Sequence, residues 1–267
     1  MALRPQRRRW SRRLRVLERE EDGTSREAVS RLTVSVSHRR GGSKGTEWSK
    51  DDDVLKVLFV SESGICRGFM AQRMFQSILA DKGLEELVSV DARASRDYSL
   101  GDAPCEIAAR AVGEEGTSQG HSYEVELLDV QADAAGSDLI LVFDKFVAED
   151  VMREITLFEV SEDSSDPSLS DRVYMLGEFG EGSTQSEKDI DDPLYGNYGG
   201  AQESEAVRRC SKRIRSCLEA VASKLESCAR EGGGFLDPEK VRQALSGGME
   251  APDDLKRLLP PMLSKKK

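Results

Sequence analysis

The chain has 267 residues, and its 39 lysines and arginines stand against 49 aspartates and glutamates, for a formal net charge of −10. This length suits one domain with tails or two small domains. Because only 38% of the residues are hydrophobic, we expect polar extensions around an ordinary core. The longest apolar runs, such as Leu139 to Phe143, are far shorter than the roughly 18 residues of a membrane-spanning helix, so we expect no such helix.

Cysteine usage narrows the class of protein further. The chain has five cysteines and two histidines, without a Cys-x-x-Cys pair, which is not the pattern of a zinc module or of a disulfide framework. We therefore expect no metal and no cofactor. Free thiols are typical of a reducing compartment, which favours a cytoplasmic location.

Charge is distributed unevenly along the chain. Residues 1–50 carry 14 basic and 6 acidic side chains, a net of +8, which leaves −18 for the remainder. An acidic body repels the phosphates of nucleic acids, so we expect no nucleic-acid binding by the folded domain. Only the N-terminal arm has the charge to bind nucleic acid or an anionic membrane.

The N-terminal arm begins as a basic amphipathic segment. Its first 16 residues hold seven arginines and no acid, and Leu3, Trp10, Leu14 and Leu17 share one helical face. Such a start is typical of a targeting segment and gives the mitochondrion or plastid as the alternative location. A disordered basic tail or an N-terminal extension of the gene model are the other interpretations. Residues 18–53 are rich in Gly, Ser and charge and are interpreted as a linker, so the arm and linker together span 1–53.

The folded body begins at Val54, and from there strands alternate with helices. The predicted elements are a buried strand at Val54–Val60, a helix at 68–81, a strand at Leu87–Val90, a helix at Pro104–Glu115, a strand at Asp138–Phe143, a helix at 145–157, a strand at Val173–Leu176 and a helix at 201–230. This alternation predicts an α/β fold with a parallel sheet covered on both faces.

The C-terminal extension, residues 231–267, carries two further helical patterns. Asp237-Pro238-Glu239 combines an N-cap residue with proline in the first helical position, which predicts the start of a short helix. A second short helix is predicted at Pro252–Leu259.

One loop has the composition of an anion-binding site. Ser61 to Arg67 follows the first strand and runs straight into a helix. Small residues in such a loop present several backbone N–H groups to one point, and the helix dipole adds partial positive charge there. The side chain of Arg67 offers a bidentate fork for phosphate. An ordinary strand-to-helix turn with a surface arginine is the competing interpretation.

Several segments resemble the low-molecular-weight protein tyrosine phosphatase family, in the order in which that family has them. The loop and its flanks, VLFV-SESGICR-GFMAQRMF at 57–75, are similar to the family's VLFVC-x-G-N-I-C-R-S-P-M-A-E. Further similar segments are DARASRDY (91–98), GDAPCEIA (101–108), a histidine at 121, SDLILVFD (137–144), VYMLGEF (173–179) and DDPLYG (191–196). The likeness covers about 54–230.

The resemblance implies a fold and a chemistry. The fold would be a small doubly wound domain with a four-stranded parallel sheet flanked by helices. The family hydrolyses phosphomonoesters, chiefly on tyrosine, through a phosphocysteine and without a metal. Its loop N–H groups and arginine stabilise the anionic transition state, and an aspartate before proline protonates the leaving group.

The family's functional residues map onto this chain with one central departure. The resemblance places the phosphate-binding arginine at Arg67, the general acid at Asp192 and a substrate-guiding aromatic residue at Tyr195. The nucleophile position is occupied by Ser61. The substrate-binding loop residues would be Glu62, Ser63, Gly64, Ile65 and Cys66.

Serine at the nucleophile position argues against normal turnover. A loop cysteine ionises because the N–H cradle and the arginine lower its pKa from about 8.5, whereas a serine hydroxyl stays protonated and needs a general base. The only histidines are His38 and His121, and neither is expected beside the loop. Gly64 and Gly68 also replace an asparagine and a serine that shape the family's loop. Cys66 is interpreted chiefly as a packed thiol, with catalysis by it as the alternative.

Three functions remain open from the sequence. The favoured one is a catalytically impaired, monomeric protein that binds phosphate or phosphotyrosine through a degenerate loop, with a phosphotyrosine protein or a small phosphomonoester as partner. The second is an active phosphomonoesterase with an altered loop, using Asp192, Arg67 and water. The third is a structural or interaction module that no longer uses the pocket.

Overall fold

The computed structural model describes five ranges of the chain: 54–113, 123–161, 169–180, 188–197 and 199–246. The basic arm and linker at 1–53, the histidine at 121 and the helix predicted at Pro252–Leu259 lie outside these ranges. Within them, no helix is both long and apolar enough to cross a membrane.

A four-stranded parallel sheet forms the centre of the described structure, as predicted. Its strands are β1 (Leu55–Ser61), β2 (Val88–Ala94), β3 (Leu139–Val142) and β4 (Val173–Met175), in the order β2-β1-β3-β4. Phe59 of β1 lies opposite Ala92 of β2 and Leu141 of β3. β1 is central, so its carboxyl end opens between two neighbours, which is where ligands bind in such sheets.

In the described ranges, five α-helices surround this sheet. They are α1 (Arg67–Lys82), α2 (Glu106–Ala111), α3 (Lys145–Ser161), α4 (Gly200–Glu231) and α5 (Pro238–Ser246). Gly83, with φ +67°, ends α1 as the sequence predicts. The prediction for α2, Pro104–Glu115, was too long: Cys105 has an extended backbone and Gly113 has φ +80°, so the helix is confined between them.

The alternating side chains of β1 define two cores. Leu55, Val57 and Phe59 face a larger core shared with α1, α2, α4 and α5, where the Phe59 ring packs edge-on against Phe75 with 5.7 Å between centroids. Leu58 and Val60 face a smaller core covered by α3. The sheet is therefore covered on both faces, as the doubly wound prediction required.

The first helix of the C-terminal extension is part of the larger core. Asp237 caps α5, with its Oδ1 accepting from the N–H of Glu239 at 2.9 Å. Val241 and Leu245 of this helix are fully buried, together with Leu236 before it.

Candidate functional site

The loop from Ser61 to Arg67 lies at the carboxyl edge of the sheet and is fixed by backbone hydrogen bonds. The carbonyl oxygens of Ser61 and Glu62 accept from the N–H groups of Ser95 and Arg96, at 2.9 and 3.0 Å. These bonds extend the pairing of β1 with β2 past the strand ends. The loop thus has a defined path from β1 into α1.

Gly64 gives the loop its turn. Its φ is +79°, and a Cβ there would lie 2.9 Å from Cγ1 of Val125, so a side chain is excluded by both conformation and space. The Tyr123 hydroxyl donates to the Gly64 carbonyl at 2.7 Å. Gly64 has no side chain to tie the loop, and Tyr123 ties it through the backbone instead.

The loop presents backbone donors at the start of a helix. Within the described residues, no acceptor pairs with the N–H groups of Ser63, Gly64, Ile65 and Cys66. These groups precede the sixteen-residue helix α1, whose dipole concentrates partial positive charge at the same end. The arrangement has the donors that an oxyanion requires.

Arg67 is buried at the base of this loop, being only 2% exposed. Its Nη1 lies 2.5 Å from Oδ2 of Asp144 and 2.8 Å from the Ile190 carbonyl oxygen, and its Nη2 lies 3.1 Å from Oδ2 of Asp192. Burial opposes the charge on Arg67, but the carboxylates of Asp192 and Asp144 outweigh it, so the pKa of the guanidinium is raised. The competing interpretation of Arg67 as a surface arginine is therefore wrong, because the residue is buried and two acidic residues compensate its charge.

Ser61 occupies the end of β1 with its hydroxyl inside the site. The residue is 2% exposed, and its Oγ has no hydrogen-bond partner among the described residues. A Cβ on Gly68 would lie 2.7 Å from this Oγ, so Gly68 leaves the hydroxyl room. The described ranges contain no histidine, so no imidazole from those ranges lies beside Ser61.

Asp192 and Tyr195 lie on one turn opposite the loop. Asp192 accepts from the N–H of Leu194 with Oδ1, at 2.9 Å, while its other oxygen meets Arg67. Tyr195 is 88% exposed, and Asn197 donates to the Pro193 carbonyl at 2.9 Å. The structure thus brings the predicted general-acid position next to the predicted phosphate-binding arginine.

The rim of the site includes residues that the sequence analysis did not select. Tyr98 is 65% exposed, and its hydroxyl donates to the Glu62 carboxylate at 3.2 Å. Asp144 was also missed, although it ends the segment SDLILVFD. Because parallel strands end at one edge of a sheet, an aspartate directly after the predicted strand Asp138–Phe143 could have been selected from the sequence. Tyr123 follows no such rule and could not be found by pattern.

Cys66 is the last residue of the loop and is almost fully buried. The pKa of the Cys66 thiol is raised strongly. The largest cause is the interaction with the thiol of Cys105, and the second is burial. A protonated, enclosed thiol is a poor nucleophile. The geometry therefore favours the packed-thiol interpretation of Cys66.

A parallel α/β sheet with an N–H-rich loop and a buried arginine at its switch point is the arrangement that an oxyanion-binding site requires. The chain belongs to the low-molecular-weight phosphotyrosine protein phosphatase family, whose model matches residues 56–230. It is 30% identical over 157 residues to low molecular weight protein-tyrosine phosphatase A of Mycobacterium bovis, covering 58% of this chain and 85% of that protein. The human low molecular weight phosphotyrosine protein phosphatase is 25% identical over 163 residues, covering 61% and 93%.

Solved structures confirm the fold. A protein tyrosine phosphatase from Entamoeba histolytica with Hepes in the active site superposes with a TM-score of 0.51 at 17% identity, covering 65% of this chain and 97% of that one. A Cys-to-Ser mutant of the YwlE arginine phosphatase with a phosphorylated active-site serine has the same TM-score at 20% identity, covering 66% and 99%.

Proposed function

We propose that this protein binds phosphomonoesters, with phosphotyrosine as the preferred class, and turns them over poorly. The observation that carries the proposal is the combination of a buried Arg67 and unpaired loop N–H groups with a serine, Ser61, at the nucleophile position. The first two features favour a phosphate dianion. The third removes the activated thiolate on which covalent turnover depends.

The physical reason for poor turnover lies in the acidity of the nucleophile. A thiol in such a cradle loses its proton near neutral pH, whereas a serine hydroxyl needs a general base. The Ser61 hydroxyl has no hydrogen-bond partner among the described residues. Direct attack by water would forgo the covalent step and its rate advantage.

The preference for phosphotyrosine is supported by the site's rim and by the family. Tyr98 and Tyr195 are exposed aromatic side chains: Tyr98 contacts Glu62 of the loop, and Tyr195 lies on the turn of Asp192, which contacts Arg67. Aromatic faces pack well against a phenyl ring. The matched family is described by its action on phosphotyrosine. A bound phosphate would compete with the carboxylate of Asp192 for the guanidinium of Arg67. The guanidinium would then exchange one anionic partner for another.

Titration calorimetry with O-phosphotyrosine tests the binding proposal. Arg67→Lys keeps the charge but loses the planar fork, so we expect affinity to fall by at least about tenfold, or roughly 1.4 kcal/mol. Arg110→Lys, in an exposed pair with Glu106, is the matched control and should bind as the natural chain does. Equal affinity of natural chain and Arg67→Lys, with both folded, would contradict the proposal.

A second activity is favoured by the buried, unpartnered Ser61 hydroxyl. Ser61 would accept one phosphoryl group: the bond from Oγ to phosphorus forms, the bond from phosphorus to the aryl oxygen breaks, and the proton lost by the Ser61 hydroxyl ends on the leaving phenolate, so that phosphoserine and a phenol are the products. The phosphoserine would persist because its alkoxide is a far poorer leaving group than a thiolate. The neighbouring structure with a phosphorylated active-site serine supports this chemistry.

Intact-mass measurement after incubation with an aryl phosphate tests the transfer. We expect one added phosphoryl group, located on Ser61 by peptide mapping, and none on Ser61→Ala. Phosphate elsewhere, or none on either chain, would reject stoichiometric transfer and leave reversible binding as the activity.

A further inference from the structure

Four carbonyl oxygens of the loop are held by donors from other parts of the fold. They belong to Ser61, Glu62, Gly64 and Ile65, and they accept from the N–H of Ser95, the N–H of Arg96, the hydroxyl of Tyr123 and the N–H of Cys105, at 2.9, 3.0, 2.7 and 3.0 Å respectively. Three of these donors are backbone groups, which a substitution other than proline leaves in place. The phenol of Tyr123 is the only side chain among the four.

The direction of each carbonyl fixes the direction of the N–H group that follows it. The described peptide bonds are all trans, and in a planar trans peptide the C=O and the next N–H point in opposite directions. The N–H groups of Ser63, Ile65 and Cys66 therefore face away from the donors that hold the preceding carbonyls. Among the described residues they also have no acceptor, so they are left free for an oxyanion.

The peptide between Gly64 and Ile65 is the loop peptide that turns over most easily. Gly64 has φ +79°, and a glycine has no Cβ to oppose rotation of the peptide that follows it. Turning this peptide over would put the Gly64 carbonyl oxygen where the Ile65 N–H stands. An anion would then meet a repelling dipole in place of a donor. The hydrogen bond from the Tyr123 hydroxyl opposes that rotation.

Tyr123 is itself held firmly enough to act as such an anchor. Its ring packs edge-on against Phe69 of α1, with 5.0 Å between centroids. Two residues further on, Val125 donates its N–H to the Asp102 carbonyl at 3.0 Å and accepts from the Gly101 N–H at 2.9 Å. Burial raises the pKa of the Tyr123 hydroxyl, so the hydroxyl keeps its proton and remains a donor at neutral pH.

We propose that Tyr123 is a positioning residue of the phosphate site: its hydroxyl holds the Gly64 carbonyl outward and thereby aims the Ile65 N–H at a bound phosphoryl oxygen. Tyr123 acts through the loop backbone and not by contact with the ligand. This inference rests on the proposed function, because it requires an anion in the loop. It adds that one phenol outside the loop determines how well the loop binds.

Titration calorimetry with inorganic phosphate tests the effect on affinity in the full chain. Tyr123→Phe keeps the ring and removes the hydroxyl, so we expect affinity to fall by about tenfold. Tyr174→Phe is the matched control: it also loses one hydroxyl, which bonds to Ser246 of α5 at 3.4 Å, and it should bind phosphate as the natural chain does. Equal affinity of Tyr123→Phe and the natural chain would overturn the proposal.

Amide proton shifts on saturation with phosphate give a readout that loss of stability alone would not produce. In the natural chain we expect the amide protons of Ser63 and Ile65 both to move downfield as they bond to phosphate. In Tyr123→Phe the Ser63 amide, whose preceding carbonyl is held by a backbone donor, should still move, and the Ile65 amide should not.

The two amides also separate a failure of this inference from a failure of the proposed function. Equal shifts of the Ile65 amide in both chains would overturn the role of Tyr123 and leave phosphate binding intact. A natural chain in which Ser63 moves and Ile65 does not would overturn it as well, without the need for a variant. If neither amide of the natural chain moved, phosphate binding by the loop would itself be rejected, and this inference with it.

Discussion

Ser61 is the residue on which the proposed function depends most, because it shares one loop with the N–H donors and with the buried Arg67. The residue ends the central strand and is buried at the base of the loop. Replacing a sulfur by an oxygen there changes the acidity of the nucleophile by many pKa units while preserving the shape of the side chain. In the proposed function, this single residue separates binding from turnover.

Gly64 is the residue on which the loop's conformation depends most. Gly64→Ala should combine the cost of a positive φ, about 1–3 kcal/mol, with a Cβ placed 2.9 Å from Val125. The matched control is Gly101→Ala, where φ is +80° and nothing lies within 4 Å, so that only the conformational cost applies. Denaturant unfolding should show the greater loss for Gly64→Ala. Equal losses would mean that contact with Val125 adds nothing.

At the scale of elements, Asp144 connects the sheet, a helix and the loop. It follows β3, and its Oδ1 accepts from the N–H groups of Phe146 and Val147 at 2.9 Å each, which caps α3. Its Oδ2 meets Arg67 of α1. One carboxylate therefore fixes the start of α3 and the guanidinium of Arg67 together.

Asp144→Ala should be strongly destabilising, because it removes a helix cap and one of two carboxylates beside a buried cation. Breaking a buried ion pair costs about 3–5 kcal/mol. Asp192 and the Ile190 carbonyl remain as partners of the Arg67 guanidinium and offset part of this cost. Asp144→Asn retains an oxygen for the cap and loses the charge. We expect thermal unfolding to rank natural chain, Asn variant and Ala variant in falling stability. An Ala variant as stable as the Asn variant would contradict the capping role.

The elements themselves were largely predictable, and the reason is periodicity. The apolar run of β1 and the helical spacing of α1 and α4 gave bounds within about two residues of those observed. β2 was predicted to end at Val90 but continues to Ala94, because its last residues alternate polar and buried positions and pair with β1 rather than forming an apolar run. The proximity of Arg67 to Asp192, residues far apart in sequence, followed from the family resemblance and not from periodicity.

At the scale of the whole molecule, the folded body extends beyond the matched family region. The family match ends at residue 230, whereas Leu236, Val241 and Leu245 are buried in the core that α1 and α4 form. The sequence showed the start of α5 through Asp237 and Pro238, but its docking surface on α4 depends on tertiary packing that no local pattern encodes.

Leu245→Ala should therefore lower the stability of the entire fold. Removing a fully buried leucine side chain costs about 2–5 kcal/mol. Lys240→Ala, at an exposed position on the same helix, should change the unfolding free energy by less than about 0.5 kcal/mol. A single cooperative transition shifted by Leu245→Ala is the expected result in urea. An unshifted main transition would mean that α5 folds apart from the body.

The central claim is that the loop retains phosphatase geometry and lacks only its nucleophile. The most direct test is hydrolysis of para-nitrophenyl phosphate at mildly acidic pH by the natural chain and by Ser61→Cys. We predict no sustained turnover by the natural chain, which would release at most the one equivalent of nitrophenol that accompanies transfer to Ser61, and measurable turnover by Ser61→Cys, which Asp192→Asn should then reduce. Turnover by the natural chain, abolished by Asp192→Asn, would contradict the account. Inactivity of both chains would also contradict it, because the loop would then have lost more than its thiol.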